Sequence, residues 1–175
     1  MPFLIALISA AGVLYFWMMR ARNAADAAHD VMDMANDVRL AARRFGFRRQ
    51  GNLHPVEGVD DPDVVATAIA ATFFELDSLP NAETHRTLMV KMQSRFNINL
   101  SDAEEMMILA RWLSAQCASP MAAITRLARR QYKLNKADSL DDLMSLISDT
   151  LETNGETPSP RQADALQDIS RALKV

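Results

Sequence analysis

The rhythm of apolar and polar positions changes several times along the chain, and each change marks an element. From Pro2 to Met19 there is no charge, and Phe3, Leu4, Ile5, Leu7, Ile8, Val13, Leu14, Phe16 and Trp17 make the stretch apolar on every side. Eighteen helical residues reach about 27 Å, close to the roughly 30 Å of a bilayer's hydrocarbon. Tyr15 and Trp17 suit the interface. A secretory signal would need a positive segment ahead of the apolar run, and Met-Pro-Phe offers only its amine, so an uncleaved transmembrane anchor over residues 1–22 is the expectation. Arg20 and Arg22 follow the span and no Lys or Arg precedes it, which predicts an outer N-terminus and a cytoplasmic C-terminal side, as in a single-pass bacterial inner-membrane protein.

A helical period continues beyond the span. Ala24, Ala28, Val31, Ala35, Val38, Ala42 and Phe45 step by fours and threes, a heptad seam. Such a seam either joins copies of the chain as a homo-oligomer through the stalk or lays the stalk on its own domain. Its small residues bury little area, which favours the second. Arg43, Arg44, Phe45, Phe47, Arg48 and Arg49 then set two aromatics among four cations. Near a membrane this mixture suits anionic lipid headgroups, with nucleic acid the competing partner. Gly51 to Val59 has no period and reads as a linker, so residues 23–58 form a stalk and linker ahead of a domain over 59–175.

Within that domain the apolar spacing is helical throughout, and no useful alternation suggests a strand. Asp61 before Pro62 opens a helix over about 62–77, with Val64, Val65, Ala68, Ile69, Thr72 and Phe73 as its buried stripe. Leu79, Pro80 and Asn81 turn the chain into a second helix, 82–96, with Leu88, Met92 and Phe96 inward. Ser101 and Glu104 form a capping box for a third that buries Met106, Leu109, Ala110, Leu113 and Cys117. Ser119-Pro120 and Ser159-Pro160 repeat the start signal, giving helices over 120 to about 134 and 160–174, with another at about 140–153 between them. The stretch Phe74 to Ile98 recurs 77 positions later as Leu151 to Val175: Phe74, Met89, Met92, Phe96 and Ile98 fall on Leu151, Leu166, Ile169, Leu173 and Val175. The expected fold is an all-α compact bundle of two helix-turn-helix repeats, preceded by the transmembrane and stalk helices.

Composition sharpens this in three places. The 175 residues are 49% apolar, with five Gly and eleven Met, enough for a single core and unlike a disordered chain. Met89, Met92, Met106, Met107 and Met144 read as core filling, the other use of Met being an adaptable groove. The net charge of −3 offers no global field for nucleic acid, and none is expected as a partner. Arg20 to Gly58 holds seven Arg against four Asp and Glu57, whereas from Val59 onward 12 Lys and Arg face 17 Asp and Glu, so a cationic neck precedes an acidic domain.

Candidate chemistry is sparse. Cys117 is the one cysteine and cannot form an intrachain disulfide; on the apolar stripe it reads as a core thiol, consistent with a reducing compartment. His29, His54 and His85 lie in separate segments, and neither a Gly-rich phosphate loop nor a paired-histidine metal motif occurs, so no enzyme is expected. Arg126, Arg129, Arg130, Lys133 and Lys136 share one helix face. Such a run is usually solvated, and it could also dock an acidic protein partner or the acidic turns of a second copy.

The turn Leu76-Asp77-Ser78-Leu79-Pro80-Asn81-Ala82-Glu83 resembles the acidic turn of the tellurite-resistance TerB-like family, and Thr153-Asn154-Gly155-Glu156-Thr157-Pro158-Ser159-Pro160 is similar to that family's second repeat. Asp77 and Glu83 match the first turn, Gly155 and Glu156 the second. Ser78 stands where the family has glycine, Leu79 and Asn154 where it has acids, and Pro160 and Arg161 at the later acidic positions. The similarity covers about residues 60–175, and the order of anchor, linker and domain also resembles the front of the membrane-anchored DjlA co-chaperones. Their His-Pro-Asp signature is missing, since His54-Pro55 is followed by Val56. The resemblance implies a divalent cation at Asp77, Glu83, Asn154 and Glu156, with Glu75 and Glu152 nearby, and a link to tellurite or envelope stress. The overall expectation is a membrane-anchored cytoplasmic binding or scaffold module, with metal sensing or sequestering through the turns as the alternative.

Overall fold

The computed structural model describes residues 36–47, 52–77, 80–136 and 138–173. The chain divides into two compact units, Met1–Asp37 and Val38–Val175. The expected membrane span and most of the heptad seam lie outside the described residues, as do Arg48 and Arg49. Among the described residues no helix is long and apolar enough to cross a membrane.

The second unit is all-α, with no strand among its described residues. Helix α1 covers 36–44. A single 3-10 turn, Pro55–Gly58, leads into α2 (Pro62–Phe74), α3 (Ala82–Phe96), α4 (Leu100–Ala115), α5 (Pro120–Asn135), α6 (Asp138–Asn154) and α7 (Pro160–Leu173).

Helix α2 is the axis of this unit. Every residue from Val64 to Phe74 is buried, so the single stripe expected from the sequence widens to the whole circumference. A helix apolar all round belongs inside other helices. Ala66, Ala68, Ala70 and Ala71 are small enough for α4 and α5 to lie close on two sides. Its two buried hydroxyls are satisfied: Thr67 donates to the Met106 sulfur at 3.1 Å, and Thr72 donates to the Ala68 carbonyl at 2.6 Å. Helix α3 rests mainly on α6, and α7 on α5. Phe73, Ile69, Met92, Leu113, Ile147 and Ile169 are among the fully buried side chains that fill the space between. Met89, Met106 and Met107 are also buried and Met144 is half-buried, so most of the methionines named above fill core.

Two helix boundaries differ from expectation. Helix α2 stops at Phe74 rather than near 77. Helix α4 starts two residues earlier, because the Asn99 side chain accepts from the Asp102 amide at 2.9 Å and takes the capping role assigned to Ser101. The reciprocal box occurs instead at α7: Ser159 accepts from the Gln162 amide at 3.1 Å while the Gln162 side chain accepts from the Ser159 amide at 3.0 Å.

Across the 77-residue shift Leu88 and Ala165, and Met92 and Ile169, are buried pairs in α3 and α7, whereas α2 is buried throughout and its counterparts Asp141, Asp142, Ser148 and Asp149 in α6 are exposed. The segment read as stalk and linker carries core residues of its own: Ala41, Val56 and Val59 are fully buried, and the seam positions Val38, Ala42 and Phe45 pack against the same core.

Candidate functional site

The two acidic turns meet. Asn81 caps α3 by accepting from the Thr84 amide at 2.8 Å, which fixes Thr84 in the first turn of that helix. Helix α6 ends on Gly155, whose φ of +64° is open to glycine without strain. That left-handed residue lets the Glu156 amide donate to the Leu151 carbonyl at 2.9 Å and the Gly155 amide to Glu152 at 3.1 Å, closing the helix.

Glu156 and Asn154 are thereby aimed at α3. The Thr84 hydroxyl donates to Glu156 at 2.9 Å and accepts from the Asn154 amide at 3.1 Å, while Thr87 donates to Asn154 at 2.8 Å. On the other side of the junction the Ser159 hydroxyl donates to Asp77, Arg161 lies 3.7 Å from the same carboxylate, and Gln162 donates to the Phe73 carbonyl at 3.2 Å. Three of the four residues at which the resemblance implies a cation, Asp77, Asn154 and Glu156, thus join one turn to the other. Glu83 is exposed and takes no part, and Glu75 is engaged by Arg111 at 2.8 Å.

Among the described residues no three His, Cys, Asp or Glu side chains are grouped to hold a metal. The donor set at the turns fits a hydrogen-bonded clasp rather than a cation. Their acid and amide oxygens accept from hydroxyls, and the Arg161 guanidinium supplies the positive charge beside Asp77. A hard cation would want six to eight oxygens there.

The basic-aromatic cluster turns partly inward. Arg44 forms ion pairs with Asp102 and, at 3.2 Å, with Glu105 on α4. Gly46, in a left-handed turn after α1, directs Phe47 onto Trp112, the rings meeting edge to face at 5.5 Å. Phe45 packs on the core, and Arg43 stays exposed.

A His–Cys pair also forms. His54 accepts from the Val56 amide through Nδ1 at 3.3 Å, so its proton resides on Nε2, which donates to the Gln116 carbonyl at 3.1 Å. Cys117 Sγ, 4.0 Å from that Nε2, therefore meets an N–H rather than a base. Burial pushes the thiol up from its ordinary range, against the pull of Arg126, and the arrangement does not activate a nucleophile. His85 is pushed down by burial and by Arg111, with Glu75 opposing.

A groove of about 900 Å³ lies between α5, α7 and the 3-10 turn. Ile124 and Ala128 lie buried beneath it, and Ala122, Tyr132 and Ala172 present its apolar surface. Arg126, Arg129, Lys133 and Arg171 rim it, against Glu57 and Asp168. Glu57 is shared between Arg126 at 3.8 Å and Lys133 at 3.5 Å, and Arg171 pairs with Asp168 at 3.1 Å. Arg129 is exposed and has no ion-pair partner among the described residues. Arg130, expected on the same face, serves the fold: it donates to the Val59 carbonyl at 2.8 Å and pairs with Asp60 at 2.9 Å. The sequence marked α5 as the cationic wall. It did not mark Glu57, Asp168 or Arg171, which only the tertiary packing brings alongside.

Comparison with family models, with curated proteins and with solved structures returns no match for this chain.

Proposed function

We propose that the chain is a membrane-anchored helical binding and scaffold module, tethered by residues 1–22 to the bacterial inner membrane with its C-terminal unit in the cytoplasm. In this reading the unit is built from two helix-turn-helix repeats of the TerB-like kind and serves in a stress response. The buried pairs Leu88 with Ala165 and Met92 with Ile169 support the repeat, and the charge-free run Pro2–Met19 followed by Arg20 and Arg22 supports the anchor. The observation that carries the binding role is the open, cation-rimmed groove between α5 and α7, held on a close-packed core. Concave apolar floors with a few placed charges are where folded domains take ligands.

Two experiments test this. Cell fractionation should leave the full chain in the membrane pellet and a chain lacking residues 1–22 in the supernatant. A photo-crosslinking residue at the groove position Ala122 should form discrete protein adducts in cells, and one at the exposed Ser94 of α3 should not. Soluble full chain, or a groove without adducts, would refute the reading.

A further inference from the structure

We infer that the groove between α5 and α7 receives the acidic face of α6 from a second copy of the same chain. This deepens the binding-module reading by naming the occupant, and it rests on that reading.

The inference starts from where the charges lie. The acidic stretch from Val59 onward nevertheless gathers Arg126, Arg129, Arg130 and Lys133 within α5, with Lys136 just past its end. Three of these, Arg126, Arg129 and Lys133, rim the groove and step by three and four after Ala122, so one side of α5 is a cationic stripe. Helix α6 is its opposite. It contains no Lys or Arg, and Asp141, Ser145, Ser148 and Glu152 step by four, three and four along one side, with Asp149 adjoining. Asp141, Asp149 and Glu152 are exposed and have no cationic partner among the described residues, whereas Asp142 is paired with Arg95 at 3.6 Å.

The stripes match in length as well as in sign. Ala122 to Lys133 and Asp141 to Glu152 each cover eleven steps, roughly 16 Å of helix. Ser145 and Ser148 are small and let a neighbouring helix approach. Arg129, without an ion-pair partner among the described residues, gains a carboxylate when the second copy docks, and the exposed apolar surface of Ala122, Tyr132 and Ala172 loses water. Both stripes are exposed on the same chain, so the contact runs from one copy to the next. Groove and α6 are different surfaces, which makes the contact heterologous: it propagates into a ring or a row. Chains anchored in one membrane would propagate it sideways within the plane.

The test uses the full chain in uncharged detergent micelles, with mass measured by sedimentation at 50 and at 500 mM NaCl, conditions between which screening of exposed charge pairs rises steeply. The expected result is a protein mass that climbs with concentration at low salt and falls back toward one protomer at high salt. Arg129→Glu, and separately the double change Asp149→Arg with Glu152→Arg, each weaken assembly by about tenfold or more. Mixing these two variants restores it, because the reversed groove meets the reversed α6 and the two unchanged surfaces still meet. Unchanged far-UV circular dichroism shows that the variants remain folded. A single-protomer mass at all concentrations, assembly indifferent to salt and to Arg129→Glu, or no rescue on mixing overturns the inference; indifference to both would assign the contact to the stalk seam. Monomeric protein whose groove crosslinker at Ala122 captures a different protein overturns the second copy while leaving the binding-module reading intact.

Discussion

Asp63 sits in the first turn of α2, where its amide is held by the Asp61 side chain at 2.9 Å. Burial, then the neighbouring charge of Asp61, then that of Asp142 push its carboxyl up from 3.8 to about 6. The folded chain therefore holds this proton more tightly than the unfolded chain does. Its contribution to stability is complete below about pH 4 and is lost as the pH rises through about 6. A gap of about two pKa units would be worth about 3 kcal/mol for a fully shielded group, and solvent screening of a half-exposed carboxyl reduces that to roughly 1 kcal/mol. Asp63→Asn is neutral at every pH and should escape the loss. Urea unfolding of the full chain, followed by circular dichroism between pH 4.5 and 7.5, should show the variant gaining on the wild type by about 1 kcal/mol as pH rises. The helix dipole favours a charged group here by about 0.3–1 kcal/mol and acts only once Asp63 ionises, so it opposes part of that gain. The slope of the difference is the diagnostic quantity. A difference that stays flat across the window, or one in which the wild type gains, would refute the argument that burial and like charge dominate this site.

Two further substitutions probe the fold. Gly155→Ala places a side chain on a residue with φ of +64° and with no atom within 4 Å of the new Cβ, so the cost is backbone strain alone, about 1 kcal/mol by thermal or urea melting. Gln131 is buried on α5 and its side-chain oxygen has no hydrogen-bond partner among the described residues; Gln131→Leu should raise stability by about 1 kcal/mol in the same assay.

The helical class and most element starts were legible because their signals are local. Asp61-Pro62, Asn81, Ser119-Pro120 and Ser159-Pro160 each put a capping oxygen next to a helix start, and the structure begins a helix after each of them. The competition at α4 shows the limit of such signals: Asn99 and Ser101 are both competent caps, and only the path of the chain out of α3 decides between them. That path follows from Asn97, left-handed at φ 52°, with the Ile98 amide donating to the Gln93 carbonyl at 3.2 Å. Full burial of α2 was less legible, since alanine and threonine sit equally well on a solvated face and an inner one. The pairing of His54 with Cys117, 63 residues apart, left no local trace. Neither did the division of α5's cations, where Arg130 is consumed by the loop before α2 while Arg129 remains at the groove.

The turns and the groove are mechanically connected, which bears on how changes at the turns are interpreted. Helix α7 supplies the groove's far wall through Asp168, Arg171 and Ala172. The start of the same helix is fixed by Ser159 and Arg161 on Asp77 and by Gln162 on the Phe73 carbonyl. Helix α5 is set independently, by Ile124, Leu127 and Ala128 in the core and by Arg130 on Val59. The groove's width thus depends on a clasp at one end of α7 that lies several turns from its rim. Replacing Asp77 removes the acceptor for both Ser159 and Arg161 and loosens the start of α7, while Ala165, Ile169 and Leu173 still hold the helix in the core. Loss of binding in such a variant would consequently report wall position as readily as loss of a direct ligand, and only contact-level measurements at Arg129 distinguish the two.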